Sequence, residues 1–141
     1  MVLKIESMIG ERERYLLTIL KHVGKIEGRT RFQKMIFLGQ EELGLPQLFD
    51  FSIHYYGPYS VELTRAIERL LSQGYIVEDV EEIGDYIRYT YRLSERGKAE
   101  AERERAEISD ESIQILKTLS EAPLSAILAY VYSKYIPDTA Q

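Results

Sequence analysis

Apolar residues recur along this chain at intervals that switch several times between a helical and a strand period. Leu16, Ile19, Leu20 and Val23 share one helical face while Arg12, Arg14 and Lys21 fall elsewhere, so residues 11–24 predict a one-sided helix ending near Gly24. A second helix is expected from Thr30, where Thr30-Arg-Phe-Gln33 has capping-box spacing and Phe32, Met35, Ile36 and Leu43 follow; Gly44 and Pro46 stop it. Phe49, Phe51, Ile53 and Tyr55 then alternate with Asp50, Ser52, His54 and Tyr56, the period of a half-buried strand. After Gly57-Pro58, Ser60 is a suitable N-cap for a third helix that turns Leu63, Ala66, Ile67, Leu70 and Leu71 inward and ends at Gly74.

Residues 75–83 and 86–93 flank Gly84-Asp85, a two-residue hairpin signal, and the second arm carries Ile87, Tyr89, Tyr91 and Leu93 on one face. Ser94 opens a segment to Glu107 that is polar on nearly every side, with Glu100–Arg103, Glu102–Arg105 and Arg103–Glu107 at helical pair spacing; it predicts a solvated connector or a helix lightly attached to the core. Ser109 and Pro123 begin two more helices, the last with Leu124, Ile127, Leu128, Val131, Tyr132 and Tyr135 before Pro137.

The expected class is therefore α+β and mostly helical. Three helices with a strand between the second and third, followed by a hairpin, is the order of a winged helix-turn-helix, with a three-stranded antiparallel sheet and extra C-terminal helices. Residues 1–97 would form the winged-helix domain, and residues 98–141 a connector plus packing or dimerisation helices of the same globular unit.

Two stretches are more specific: Gly28-Arg-Thr-Arg-Phe-Gln-Lys-Met-Ile-Phe-Leu38 and His54-Tyr-Tyr-Gly-Pro-Tyr-Ser-Val-Glu-Leu63, the latter running into Ile67, Leu70 and Gly74-Tyr-Ile76. Over about residues 14–78 they resemble the YwgA-type branch of the Panacea (SocA-like antitoxin) group, in which a Gln-Lys-containing helix precedes a Tyr-Gly-Pro element. The resemblance implies a winged-helix-like fold and, for some members of that group, an antitoxin or adaptor role that works by binding a protein. Tyr91-Arg-Leu-Ser-Glu-Arg-Gly97 is similar, more loosely, to the wing-to-helix exit of many winged-helix regulators.

Composition narrows the function classes. With 141 residues, 45% of them hydrophobic and 29% charged, the chain reads as one ordinary globular domain. The net charge of −5 argues against a generic nucleic-acid coat. Cysteine is absent, which removes disulfides, thiolate metal sites and cysteine nucleophiles; absent Asn beside abundant Glu and Arg leans toward a thermophilic source. The start, Met1-Val-Leu-Lys-Ile-Glu, does not read as a signal peptide, and the longest apolar run, Ala126 to Tyr132, is far short of the roughly 18 residues of a membrane span, so a cytoplasmic protein with no membrane contact is expected.

Charge is uneven. Residues 11–34 carry seven Lys and Arg against three Glu, whereas the hairpin between Ile76 and Arg92 carries Glu78, Asp79, Glu81, Glu82 and Asp85 against Arg88 and Arg92. Arg29, Thr30, Arg31 and Lys34 surround the start of the second helix, where free backbone N–H groups favour a phosphate. Tyr59, Ser60, Arg65 and Arg69 line the start and outward stripe of the third helix, where arginines address guanine edges or phosphates. The first expectation is thus a small non-enzymatic DNA-binding transcriptional regulator, a homodimer through its C-terminal helices, contacting double-stranded DNA with these eight residues. Arg65 also has Glu62 and Glu68 at helical pair spacing, which predicts ion pairing along the helix.

The acidic hairpin opposes that reading, because carboxylates laid against a duplex meet phosphates. The alternative is a protein–protein interaction module or antitoxin-like adaptor that uses Tyr56, Tyr59, Glu81, Glu82 and Asp85. No cofactor and no metal are expected. His22 and His54 lack ligand spacing, and the phosphate-binding and nucleophile motifs of common enzymes are missing.

Overall fold

In the computed structural model, residues 9–54 and 57–136 are described. Tyr55, Tyr56, Pro137 and the Met1 to Glu6 start, all used above, lie outside them. Along the chain run α1 (Glu11–Val23), β1 (Ile26–Glu27), α2 (Arg29–Glu42), β2 (Ser52–His54), β3 (Gly57–Tyr59), α3 (Val61–Ser72), β4 (Ile76–Ile83), β5 (Tyr86–Leu93), α4 (Glu95–Arg103), α5 (Asp110–Glu121) and α6 (Leu124–Tyr135). The α+β class, mostly helical with a three-stranded antiparallel sheet and C-terminal helices, is as the periodicity predicts.

Capping chemistry sets most helix starts. Ser60, Ser94 and Ser109 each accept a hydrogen bond from the backbone N–H three residues on, at 3.0 to 3.1 Å. At α1 the Glu13 carboxylate reaches back to the Gly10 N–H at 3.0 Å. The start of α2 differs from expectation. Its N-cap is Gly28, whose φ of 88° suits glycine, and Thr30 lies exposed within the first turn rather than capping it.

The sheet holds a second correction. Its order is β1-β5-β4, so the third strand is the two-residue β1, not the segment around residues 49–56. Among its described residues that segment supplies β2, which pairs with β3 in a separate two-stranded ribbon, His54 opposite Gly57. Phe49 alternates inward for another reason. Its N–H and C=O are both bound, at 3.0 Å each, by the side-chain amide of Gln40, which stands in for a neighbouring strand.

The core gathers Leu16, Leu17, Ile19 and Leu20 of α1, Phe32, Met35 and Ile36 of α2, Leu63, Ile67 and Leu70 of α3, the sheet base (Ile26, Ile76, Tyr91, Leu93) and Leu116 of α5. A second cluster joins Phe37 and Leu38 of α2 to Ile127 and Val131 of α6. Both C-terminal helices therefore pack on their own chain, with α2 buried between them and the rest. Nor is α4 merely a solvated connector. It packs along α1, buries Ala101, and is tied down by Ala106 N–H donating to Thr18 Oγ1 at 2.9 Å and Lys21 pairing with Glu102 at 2.5 Å. Among the described residues, no helix is long and apolar enough to cross a membrane.

Candidate interaction surface

The eight residues expected to meet DNA separate into groups with different surroundings. Arg31 is only 8% exposed and faces α5. Its guanidinium donates to the carbonyls of Leu119 (2.9 Å) and Ala122 (2.6 Å), which caps the last turn of that helix. Lys34 is 4% exposed, and its Nζ donates to the Pro58 carbonyl at 3.0 Å; burial lowers its pKa below the ordinary lysine value. Ser60 is fully buried beneath the start of α3. Each of these three is buried and hydrogen-bonds inside the fold.

Arg29, Thr30, Lys34 and Tyr59 do come together, around a cavity of about 450 Å³, but its far wall is Leu128 and Tyr132 of α6. The packing beside it is close. A Cβ added to Gly57, whose φ is 90°, would lie 3.3 Å from Tyr132 and from Lys34. Residues of the last helix thus line the same cavity as the first turns of α2 and Tyr59. Arg29 is further engaged by carboxylates: its Nε donates to the Tyr91 hydroxyl at 2.8 Å, and Glu68 and Glu78 each stand 3.8 Å away.

On α3 the expected ion pairs are replaced by others. Glu62 accepts from the Asp50 N–H and pairs with Arg12, Glu68 faces Arg29, and Arg69 grips Glu13 with two nitrogens, at 2.5 and 3.2 Å. Arg65 is exposed and forms no ion pair with another described residue. Tyr59 is partly exposed, and its hydroxyl shares a hydrogen bond with Thr64 at 2.7 Å.

The hairpin has a different character. Its base belongs to the core, with Tyr91 and Leu93 buried, while its outer half projects Val80 (60% exposed), Tyr86 (59%), Ile87 (50%) and Tyr89 (40%). Register puts Val80 opposite Tyr89 and Glu82 opposite Ile87, on the face that Ile76 and Leu93 begin, so the core stripe continues outward into solvent. Glu81 pairs with Arg88 at 3.3 Å and Asp79 with Arg92 at 2.7 Å, whereas Glu82 and Asp85 are exposed at the tip. The hydrogen bonds from Arg92 hold Asp79 below its ordinary pKa.

Two residues escaped the sequence reading. Gln33 is 3% exposed and binds the Ser60 backbone twice, accepting from its N–H at 2.8 Å and donating to its C=O at 2.9 Å, with Thr64 Oγ1 at 3.1 Å. Glu42 accepts from the hydroxyls of Tyr130 (2.8 Å) and Tyr135 and from Lys134 at 3.0 Å. Burial works to raise the Glu42 pKa, and the hydrogen bonds from Tyr135, Lys134 and Tyr130 outweigh it and lower it. Tyr130, Lys134 and Tyr135 therefore hold α6 to α2 through Glu42. The Gln-Lys pair of the sequence motif was a signal for Gln33, but nothing local marked Glu42.

The chain is similar to a Bacillus subtilis (strain 168) protein whose name is "Uncharacterized protein YwgA", with 39% identity over 84 residues, 60% of this chain. It spans about half the length of that relative, the aligned part being 50% of it. No family model matches the chain. A YwgA-type relationship is what the comparison supports.

Proposed function

We propose that this chain is a non-enzymatic protein-interaction module on a winged-helix-like scaffold, with the projecting hairpin as its contact surface. One observation carries the reading: of the cations best placed by sequence for phosphate, Arg31 and Lys34 are turned inward and Arg29 and Arg69 face carboxylates, which leaves Arg65 alone exposed without an ion pair among the described residues, while the exposed hairpin is acidic and apolar. Phosphate contacts dominate the affinity of DNA-binding proteins, and a surface that offers few free cations forgoes that term. The adaptor role implied by the resemblance to the Panacea group points the same way.

The test sets the two readings against each other in one variant. Reversal of Glu81, Glu82 and Asp85 to Lys is expected to abolish capture of partner proteins by the immobilised chain, quantified by mass spectrometry against the unaltered chain. The same variant should bind a random 20-base-pair duplex at low salt more tightly than the unaltered chain, whose own binding at physiological salt stays at or beyond the weak end of the non-specific range, roughly 10⁻⁴ M. A duplex complex of the unaltered chain that is sequence-specific and lost on Arg65→Ala would restore the DNA-binding regulator, with Arg65, Thr30 and Tyr59 as its remaining contacts. Capture unchanged by the reversal would remove the hairpin as the contact surface.

A further inference from the structure

Among the described residues, the sheet is open on one side. In the order β1-β5-β4, β5 is flanked on both sides, but β4 has a neighbour only at β5, so the outer edge of Ile76–Ile83 faces no other described strand. Which of its backbone groups point outward follows from the register. Tyr89 and Tyr91 direct theirs away from β4, since Tyr89 C=O accepts from Gly28 N–H at 2.7 Å and Tyr91 pairs with Ile26 of β1. In an antiparallel ladder, residues opposite each other share this property, so Val80 (opposite Tyr89) and Glu78 (opposite Tyr91) direct theirs to the open edge, and Glu82 follows by the period of two. Among the described residues, none of these three gives or receives a backbone hydrogen bond from another element.

An unpaired strand of this length is a template for another chain, and proteins commonly blunt such edges with charge. Here the charge has one sign. Glu78, Asp79, Glu81 and Glu82 lie on β4 and Asp85 at the turn, beside the exposed Val80, Ile87 and Tyr89. A second copy of this chain would bring the same acids against themselves across the new ladder, which is destabilising for directly opposed pairs. Glu78, Asp79 and Glu81 already face Arg29, Arg92 and Arg88, so a neutral strand would gain the hydrogen bonds but add no cation beside Glu82 and Asp85, which have no ion pair among the described residues. A strand alternating basic and apolar residues supplies backbone groups, positive charge for this acidic edge and apolar side chains beside Val80, Ile87 and Tyr89.

We infer that β4 accepts an extended, basic, apolar-alternating segment of a partner protein as a fourth strand of the sheet, held by the outward groups of Glu78, Val80 and Glu82. This rests on the interaction reading above and specifies the partner's chemistry and mode of binding. Unlike that reading, it is tied to backbone pairing.

The probe is a blocked octapeptide alternating Val and Lys, added to the full chain labelled with ¹⁵N. Chemical-shift changes and slowed amide exchange are expected at Glu78, Val80 and Glu82. The same peptide with alternate backbone nitrogens methylated, and a Val/Glu peptide, should each bind at least about tenfold more weakly, as should the Val/Lys peptide to an E82K/D85K chain. Equal binding of the methylated peptide would reduce the effect to charge attraction and overturn strand addition. Perturbation confined to residues away from β4, or no binding at all, would overturn it equally. If the charge reversal still abolishes partner capture in that case, the interaction reading survives and only this mode of binding falls.

Discussion

Tyr91 shows how one side chain serves the core and the charge pattern together. Its ring is buried edge-on to Phe32, centroids 6.0 Å apart, while its hydroxyl donates to Glu78 at 2.5 Å and accepts from Arg29 at 2.8 Å. Burial first, then the bond to Glu78, raise its pKa; Arg29 opposes them, and the result is about 12 against an ordinary 10.0. Between those two values the folded chain keeps a proton that the unfolded chain releases. Stability from this group is therefore fully present below about pH 10 and is lost as pH rises toward 12. Urea unfolding of the unaltered chain and of Tyr91→Phe across pH 9 to 12 should show the larger decline in the unaltered chain. Tyr135, also raised to about 12, and Lys34, shifted downward, are present in both and cancel in the difference. A parallel decline would mean that Tyr91 ionises as freely folded as unfolded.

Among the elements, α2 organises its neighbours through polar side chains that a binary pattern does not credit. Gln33 stands against the N-terminal end of α3 as a strand would, satisfying both backbone groups of Ser60, and Arg31 closes the end of α5. Gln33→Ala leaves the buried N–H of Ser60 unpaired, at about 1–3 kcal/mol, while its C=O keeps the helical hydrogen bond from Thr64 N–H. The expected loss is about 2 kcal/mol, read as a fall in the urea midpoint with the slope unchanged; a loss under about 1 kcal/mol would mean that α3 is fixed by its apolar face alone. These same residues mark where sequence reading stops. Helix starts at Ser60, Ser94 and Ser109, the Gly84-Asp85 turn and the apolar faces of α1, α3 and α5 depend on neighbours a few residues away, and they were legible. Partners of Arg31 and Lys34 lie 88 and 24 residues away, so these cations read as surface charge when they are internal donors. The alternation at Phe49 and Phe51 read as a strand for the same reason, because Gln40 supplies from a helix what a strand supplies from its backbone.

At the scale of the whole molecule, the two C-terminal helices decide both what is exposed and what is folded. Leu128 and Tyr132 of α6 wall the cavity beside Arg29, Lys34 and Tyr59, while the outer half of the hairpin leaves Val80, Tyr86, Ile87 and Tyr89 exposed. α5 contributes Leu116 to the main core, packing on both α1 and α2, and α6 contributes Ile127 and Val131 to the second cluster against Phe37 and Leu38 of α2. Truncation of one buried leucine to alanine already costs about 2–5 kcal/mol, and total stability is commonly about 5–15 kcal/mol. A chain ending at Glu107 loses Ile113, Leu116, Ile127 and Val131 together, bares Phe37 and Leu38, and removes the carbonyls that Arg31 caps. It should show no cooperative thermal transition by circular dichroism and should bind a dye specific for exposed apolar surface. If residues 1–97 were instead self-sufficient, with the last helices a dimerisation appendage, the shortened chain would melt cooperatively near the full chain's temperature. The buried Phe37 and Leu38 argue against that outcome, since without α6 they would meet water in place of Ile127 and Val131.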